Sequence, residues 1–524
     1  MSLAPDQELV PENGSPPTAP ERQAEALAFR VAHNAGLLAV SNVLVRGLGM
    51  GMMIVLARYL KPGAYGTYQR AEAFVFLFSI VVNLGLDMIL TREVAKHRAR
   101  ASEYFSGIIV CKAITGILAY GIILVVAVSR GYSGDLVWAI RIFGAILLLN
   151  SFSETCGAVF QGFQEMRYVA LAHLAAQVVF LTAGLTCVLT HRSLHWILGC
   201  LALGAITQWT FSALVLRRTF HVRWSFPGFA TVRFLLRESL PLALAASFVL
   251  VYQQIDAVML GEYKGDAEVG LYKAGAKFLL LFSVLRDSLM VSIYPVFASL
   301  GRSEPSRLSA LLSRVVRYQI GLGLYFVLCF VLLSRLAPAL LGPEFHHSGT
   351  VLPILGWILL PQTISIACGR ALIATGRQDR LLISTGLSLG VNVGLNLMWI
   401  PRWGILGAAG ASVVSEIVVA TLNVILVRRA IGPTHFMRDL SRPALAAALA
   451  GAAMYPLRHL HLWIAFPLLA VFYLIALFLL RAVSREELKQ IRTLARAWLH
   501  AAKRRGRLPA KWMGRGAWIE DGEP

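Results

Sequence analysis

The chain has 524 residues, 57% of them hydrophobic and only 15% charged, with 49 Lys and Arg against 28 Asp and Glu and a net charge of +21. Soluble domains carry about a quarter charged residues, and a mean hydropathy of +0.65 is too apolar for a surface that meets water throughout. A water-soluble enzyme, a disordered protein and a disulfide-rich secreted scaffold are excluded. What is left is a polytopic membrane protein. Its positive excess belongs in loops and tails on the cytoplasmic face, with no nucleic-acid partner implied.

Residues 1–30 are rich in Pro, Glu and Ala without apolar periodicity and are expected to form a disordered cytoplasmic tail. A membrane-spanning helix needs about 20 predominantly apolar residues. Such stretches lie near 36–59, 72–92, 105–129, 136–158, 168–190, 196–216, 239–261, 270–297, 315–341, 349–369, 381–400, 403–427, 443–457 and 462–480, fourteen in all, the thirteenth short and Ala-rich. The fold expected is all-α and polytopic, with about 14 transmembrane helices: a six-helix bundle over 36–216, a second over 239–427, and two further helices over 443–480.

With the N-terminus inside, the even-numbered connections hold clusters such as Arg92, Lys96, Arg98 and Arg100, or Arg217, Arg218, Arg223, Arg233 and Arg237. The outward connections hold isolated charges such as Arg130, Arg192 and Lys264. This asymmetry follows the positive-inside rule and predicts both termini in the cytoplasm. Residues 484–524 then form a basic cytoplasmic tail. Ser484-Arg485-Glu486-Glu487 is a capping box, and Leu488, Ile491, Ala495, Trp498 and Leu499 recur at helical spacing, as in an amphipathic helix on an anionic leaflet. The six cysteines fall in apolar stretches with no metal-ligand spacing, and read as packing residues.

The sequence repeats itself. Gly66-Thr67-Tyr68 and Phe74-Val75-Phe76-Leu77-Phe78-Ser79 stand 204 residues before Gly270-Leu271-Tyr272 and Phe278-Leu279-Leu280-Leu281-Phe282-Ser283. Cys156-Gly157 echoes Cys368-Gly369, and Gly162-Phe163-Gln164-Glu165 echoes Gly376-Arg377-Gln378-Asp379. Six helices return a chain to the side on which it began, so the two units are parallel repeats related by an axis along the membrane normal. Two such bundles rocking about a shared interface expose a midplane cavity to either side in turn. Selectivity-filter loops, the hydrolase and metalloprotease motifs and nucleotide-binding motifs are absent. A secondary transporter, and no enzyme, is the reading.

Ionisable groups at membrane depth are costly enough to be functional candidates. Arg46 lies about 15 Å into the first span. Together with Lys112, Arg141, Lys273 and Lys277 it is a candidate for a basic, water-filled cavity that accepts an anionic group such as a phosphate. Asp87, Asp256, Asp287 and Glu416 are candidates for coupling to H+ or Na+, with no other cofactor implied. The plainer alternative pairs Arg46 with Asp87, Lys277 with Asp256 and Arg141 with Glu154, ion pairs that hold helices in register. In the eighth span Lys273, Lys277 and Asp287 share a face, while Arg286 points away.

Residues 57–68, Ala57-Arg58-Tyr59-Leu60-Lys61-Pro62-Gly63-Ala64-Tyr65-Gly66-Thr67-Tyr68, resemble the end of the first helix in polysaccharide-transport flippases. Asp256-Ala257-Val258-Met259-Leu260-Gly261, followed by Val269-Gly270-Leu271-Tyr272-Lys273-Ala274, resembles their seventh-to-eighth helix turn. Asn392-Val393-Gly394-Leu395-Asn396, Ile400-Pro401 and Gly407-Ala408-Ala409-Gly410-Ala411 are similar to their eleventh and twelfth helices, and Leu341-Gly342-Pro343-Glu344-Phe345 to the loop after the ninth. The likeness runs from about residue 36 to 430. It implies the O-antigen-type branch of the multidrug/oligosaccharidyl-lipid/polysaccharide exporter superfamily, in the bacterial inner membrane. Such proteins move an undecaprenyl-diphosphate-linked oligosaccharide to the periplasmic leaflet, with membrane lipid and other polysaccharide assembly proteins as partners. The competing expectation is a cation-coupled multidrug or metabolite exporter of the same fold, which would call for a more acidic cavity.

Overall fold

The computed structural model describes residues 19–301, 303–434 and 440–480. The basic tail expected over 484–524 lies outside them. The described backbone is helical, with no strand among the described residues. The first lobe comprises α1 (Ala19–Leu77), α2 (Ser79–Asn83), α3 (Leu86–Lys96), α4 (Ala101–Ser129), α5 (Gly134–Gly162), α6 (Met166–Leu189) and α7 (Leu194–Thr219). The second comprises α8 (Phe229–Lys264), α9 (Asp266–Lys277), α10 (Leu279–Leu300), α11 (Pro305–Leu332), α12 (Leu336–Leu341), α13 (His346–Gly356), α14 (Leu359–Ala374) and α15 (Asp379–Ile431). The chain ends in α16 (Ser441–Met454) and α17 (Leu462–Leu479), which pack on each other and on α11.

Each of the fourteen apolar stretches overlaps a helix. By length and composition eight helices qualify as membrane crossings, and ten when two bent pairs are each taken as one span. Two long helices are not straight: α1 breaks at Lys61 (φ 59°) and α15 at Gly404 (φ 54°). One expectation is corrected. Helical backbone begins at Ala19, inside the stretch expected to be disordered, because Glu21-Arg22-Gln23-Ala24-Glu25-Ala26 behind Pro20 are good helix formers.

The repeat is visible in the helix boundaries. Lys61, where α1 breaks, stands 204 residues before Gly265, where α8 gives way to α9, and both have positive φ and extended ψ. The same offset relates the last residues of α3 and α10, Lys96 and Leu300, and the first residues of α4 and α11, Ala101 and Pro305. Past α11 the second lobe carries eight extra residues around α12, and the offset becomes 212: α5 ends at Gly162 and α14 at Ala374. The backbone bonds closing these two ends match, Glu165 N–H to Phe160 O (2.8 Å) and Arg377 N–H to Leu372 O (2.9 Å). Helix-end geometry therefore moves the third sequence echo by two residues. Gln164 (φ 63°) is equivalent to Gly376 (φ 71°) and not to Gln378.

Burial follows the lobes. One core joins α9, α11, α12, α13 and α15, and it draws in Ala57, Tyr65 and Ala73 from α1. Others fill the first lobe around Leu86, Phe160 and Ile140. All six cysteines are free thiols, and the sulfurs of Cys187 and Cys200 lie 3.3 Å apart across α6 and α7.

Candidate functional site

The lobes meet where α1, just past its break, crosses α9. Gly66 and Gly270 make that crossing close: a Cβ on either residue would run into backbone of the other lobe, Asp266 in one case and Pro62 in the other. Polar bonds ring the contact. Arg70 donates to Asp266 (2.7 Å) and Glu262 (2.9 Å), Thr67 Oγ1 donates to Asp266 (2.7 Å), and Tyr132 donates to Glu262. Lys61 pairs with Glu344 (3.3 Å), and Arg58 donates to the carbonyl of Ala339 (2.9 Å). Glu344 and Ala339 belong to the extra segment of the second lobe, so that insertion serves to complete the seal.

Away from this seal, toward the middle of the helices, the lobes face each other with charged side chains. Lys273 is half-buried, donates to Gln254 Oε1 (2.7 Å), and lies within electrostatic reach of Lys277, Glu72 and Asp256. Lys277, one turn on, makes no ion pair or hydrogen bond among the described residues. Arg46 on α1 meets Asp287 on α10 at 3.7 Å, and their side chains are 50% and 41% exposed, as expected for a water-accessible bridge between lobes. A largely apolar crevice of about 630 Å3 opens between α1, α10, α12 and α17, lined by Met50, Phe278, Leu281, Leu340 and Phe466 with Arg335 and His461 among its polar residues. Met50 lies one turn from Arg46 on α1, and Phe278 follows Lys277 in the chain.

The other candidates are placed differently. Lys112 is 0% exposed, and its ammonium donates to both oxygens of Asp87 (2.8 Å each) and to Ser151 O (3.0 Å). An ammonium has three donors, so Lys112 has none left for a ligand. Thr155 adds a bond to Asp87 (3.2 Å), and Glu154 accepts from Asn83 (3.3 Å). Arg141 is exposed on α5, apart from the inter-lobe charges, and among the described residues only its carbonyl is engaged, by Tyr120 OH (3.3 Å). None of the three ion pairs expected as the plainer alternative forms: Arg46 and Asp87 each pair elsewhere, while Lys277 and Arg141 make no ion pair among the described residues. Arg286 is 5% exposed and tied to Gln362 (2.6 Å) and Asp287 (3.0 Å).

A second polar site lies within the second lobe. Asp256 accepts from Asn396 Nδ2 (2.6 Å), Tyr272 OH (3.1 Å) and Ser412 Oγ, and Asn396 Nδ2 also donates to Asn392 Oδ1 (3.0 Å). The amide oxygen of Asn396 and the amide nitrogen of Asn392 are buried without partners among the described residues. Orphaned polar atoms at depth are rare and call for an explanation. Glu416 lies on the same helix as Ser412, beside Tyr252, Gln362 and Arg286. Sequence reading missed Glu72, Arg70, Gln362 and Ser412. It quoted Asn392 and Asn396 only within the family resemblance and assigned them no role. The available signal was their i, i+4 placement in an otherwise apolar span.

A family model described as polysaccharide biosynthesis protein matches residues 31–300, about half of the chain. The chain belongs to the polysaccharide biosynthesis protein family. A second model, MatE, matches residues 241–398, which places this member of the family in the wider exporter superfamily. Among curated relatives, the probable low-salt glycan biosynthesis flippase Agl15 of Haloferax volcanii is 20% identical over 74% of this chain and 81% of its own. The putative O-antigen transporter of Shigella dysenteriae is 25% identical over 59% of this chain and 77% of its own. Among solved structures, the lipid II flippase MurJ in an inward closed conformation superposes with a TM-score of 0.73 at 12% identity, covering 86% of this chain and 99% of MurJ, a likeness of fold.

Proposed function

We propose that this family member is a flippase that carries an undecaprenyl-diphosphate-linked oligosaccharide from the cytoplasmic to the periplasmic leaflet of a bacterial inner membrane, and is not an enzyme. The observation that carries this reading is that Arg46 and Lys277, on facing lobes, stand one turn from Met50 and next to Phe278, two residues that line a largely apolar crevice. The basic groups suit the diphosphate, the space between lobes suits the glycan, and the crevice lets a polyprenyl tail stay in lipid. The names of the relatives support the cargo class. With the orientation read from the loop charges, both termini cytoplasmic, the Gly66–Gly270 seal falls at the periplasmic end. Rocking of the lobes then opens that seal while the other end closes.

Coupling is assigned to the Asp256 cluster. Turning the Asn396 amide over by half a turn would bring its orphaned oxygen against Asp256, an arrangement that repels unless a cation lies between. Asp256, Asn392, Asn396 and Ser412 offer oxygen donors with a single formal charge, a set suited to Na+. The second reading, cation-coupled export of a small molecule, is favoured by the MatE match and by Glu72 near Lys273.

The experiment is deletion in the host, mass analysis of lipid-linked glycans, and add-back of wild type or Lys277→Ala. Accumulation of one lipid-linked repeat, relieved by wild type and not by the variant, is expected. Unchanged glycan lipids with altered drug sensitivity would move the protein to the second reading.

A further inference from the structure

A cavity of about 840 Å3 lies in the first lobe between α4, α5, α7 and the segment that follows α7, and none of the inter-lobe charged residues lines it. Phe105, Phe152 and Leu216 contribute to its apolar wall, and Arg217, Arg218 and Arg223 to its rim. All three arginines are exposed, and none has an acidic partner among the described residues. The nearest acid along α4, Glu103, is already bound by Arg100 (3.0 Å) and Thr231. Three guanidinium groups over an apolar slot form a site of one chemistry: an anionic head above, hydrocarbon below.

The level of the site in the bilayer follows from its neighbours. Trp209 and Trp224 also line the cavity, and the segment that follows exposes Phe226 by 92% and Phe229 by 82%. Aromatic side chains left bare beside clustered arginines mark the headgroup layer, where ring and charge are both satisfied. The segment is held at that level by bonds from its backbone to α4, Arg223 N–H to Ser102 Oγ (3.2 Å) and Ser225 N–H to Ser106 Oγ (3.0 Å), and by Phe220 packed against Phe160 and Tyr168. The site is therefore built, not a chance grouping of loop charges.

We propose that this cavity is a binding site for an anionic phospholipid of the cytoplasmic leaflet, one acyl chain in the slot and the phosphate on Arg217, Arg218 and Arg223. The assignment to that leaflet rests on the orientation read from the loop charges; the lipid chemistry does not. Because the same segment links the two lobes through Thr231 and α8, a bound lipid would anchor the first lobe at the pivot of any rocking motion.

The test uses the purified full-length protein and an equimolar mixture of phosphatidylglycerol and phosphatidylcholine, with retained lipid read by native mass spectrometry. The wild type is expected to retain phosphatidylglycerol over phosphatidylcholine by at least about tenfold, since each arginine near the headgroups contributes about fivefold. The triple variant Arg217→Gln, Arg218→Gln, Arg223→Gln loses the preference. Ala213→Trp, which fills the slot and leaves the arginines, lowers retention of the anionic lipid as well. Arg380→Gln with Arg429→Gln, on the other lobe, changes neither. Equal retention of the two lipids by wild type, or an unaltered preference in the triple variant, overturns the proposal. Displacement of phosphatidylglycerol by the host's polyprenyl-diphosphate glycan also overturns it and reassigns the cavity to cargo entry. These outcomes are independent of whether the inter-lobe charges carry cargo.

Discussion

Gly66 and Gly270 are the same residue of the two repeats, and they pack on each other: a Cβ at Gly270 would stand 3.0 Å from the backbone nitrogen of Gly66 and 3.1 Å from its Cα. The pseudo-twofold axis relating the lobes runs through this contact, so one crowded position occurs twice. Introducing side chains here costs about 1–3 kcal/mol by overpacking, paid by the sealed state alone. Gly66→Ala or Gly270→Ala is therefore expected to shift the protein toward the open seal by about fivefold to a hundredfold. Spin labels at the exposed Gly63 and His346 would report the shift as a longer distance. An unchanged distance distribution in both variants would show that the crossing tolerates a methyl and is no seal.

Arg70 is the polar counterpart of that steric contact. It binds Asp266 at 2.7 Å and Glu262 at 2.9 Å, with its cation 4.8 Å from the Tyr132 ring. Removing one partner of a largely desolvated pair costs about 3–5 kcal/mol, part of it the charges left unpaired. Arg70→Ala is expected to open the seal more than Arg70→Lys, which keeps one bond of the fork. The same label pair tests it, and an equal effect of Ala and Lys would rule out the bidentate role.

Much of the fold was legible because hydropathy, turn residues and loop charge are local properties. The 204-residue register and the glycines at the crossing can be read in one dimension, and the ends of α3 and α10 and the starts of α4 and α11 keep that register. The insertion around α12 shifts the later register, which only helix-end geometry resolves. Pairing of buried charges was not legible. Asp87, Lys112 and Glu154 sit where the second lobe has Val291, Val316 and Ile366, while Asp256 and Arg286 sit where the first has Met52 and Val82. The lobes share a scaffold but not a polar interior, so the repeat offers no guide to partners. Which acid meets which base depends on which helices pack together: Arg286 finds Gln362 on α14, a partner far from it in the chain.

Lys112 and Asp87 illustrate a charge pair spent on structure. With all three ammonium donors used, Lys112→Met alone would leave Asp87 short of its main partner and is expected to destabilise the protein by about 3–5 kcal/mol. Lys112→Met combined with Asp87→Leu should recover most of the loss. Thermal melting in detergent distinguishes this from a cargo role. A binding residue would leave the melting temperature of the single variant near wild type while abolishing complementation.

Asp256 makes the opposite case. Its carboxylate is fully hydrogen-bonded, yet two amide groups next to it are not, so the cluster is arranged for more than its own satisfaction. If a cation accounts for the orphaned oxygen, wild-type protein should gain thermal stability with added NaCl and not with equimolar choline chloride. At a hundred times the dissociation constant the gain is about 2.7 kcal/mol. Asp256→Asn and Asn396→Ala should each lose the Na+ response, whereas Asp87→Asn should keep it on a lowered baseline. Choline chloride matching NaCl in wild type would exclude a specific Na+ site. Glu416 then becomes the residue to examine for proton coupling, since it is a buried carboxylate on α15 beside Tyr252, Gln362 and Arg286.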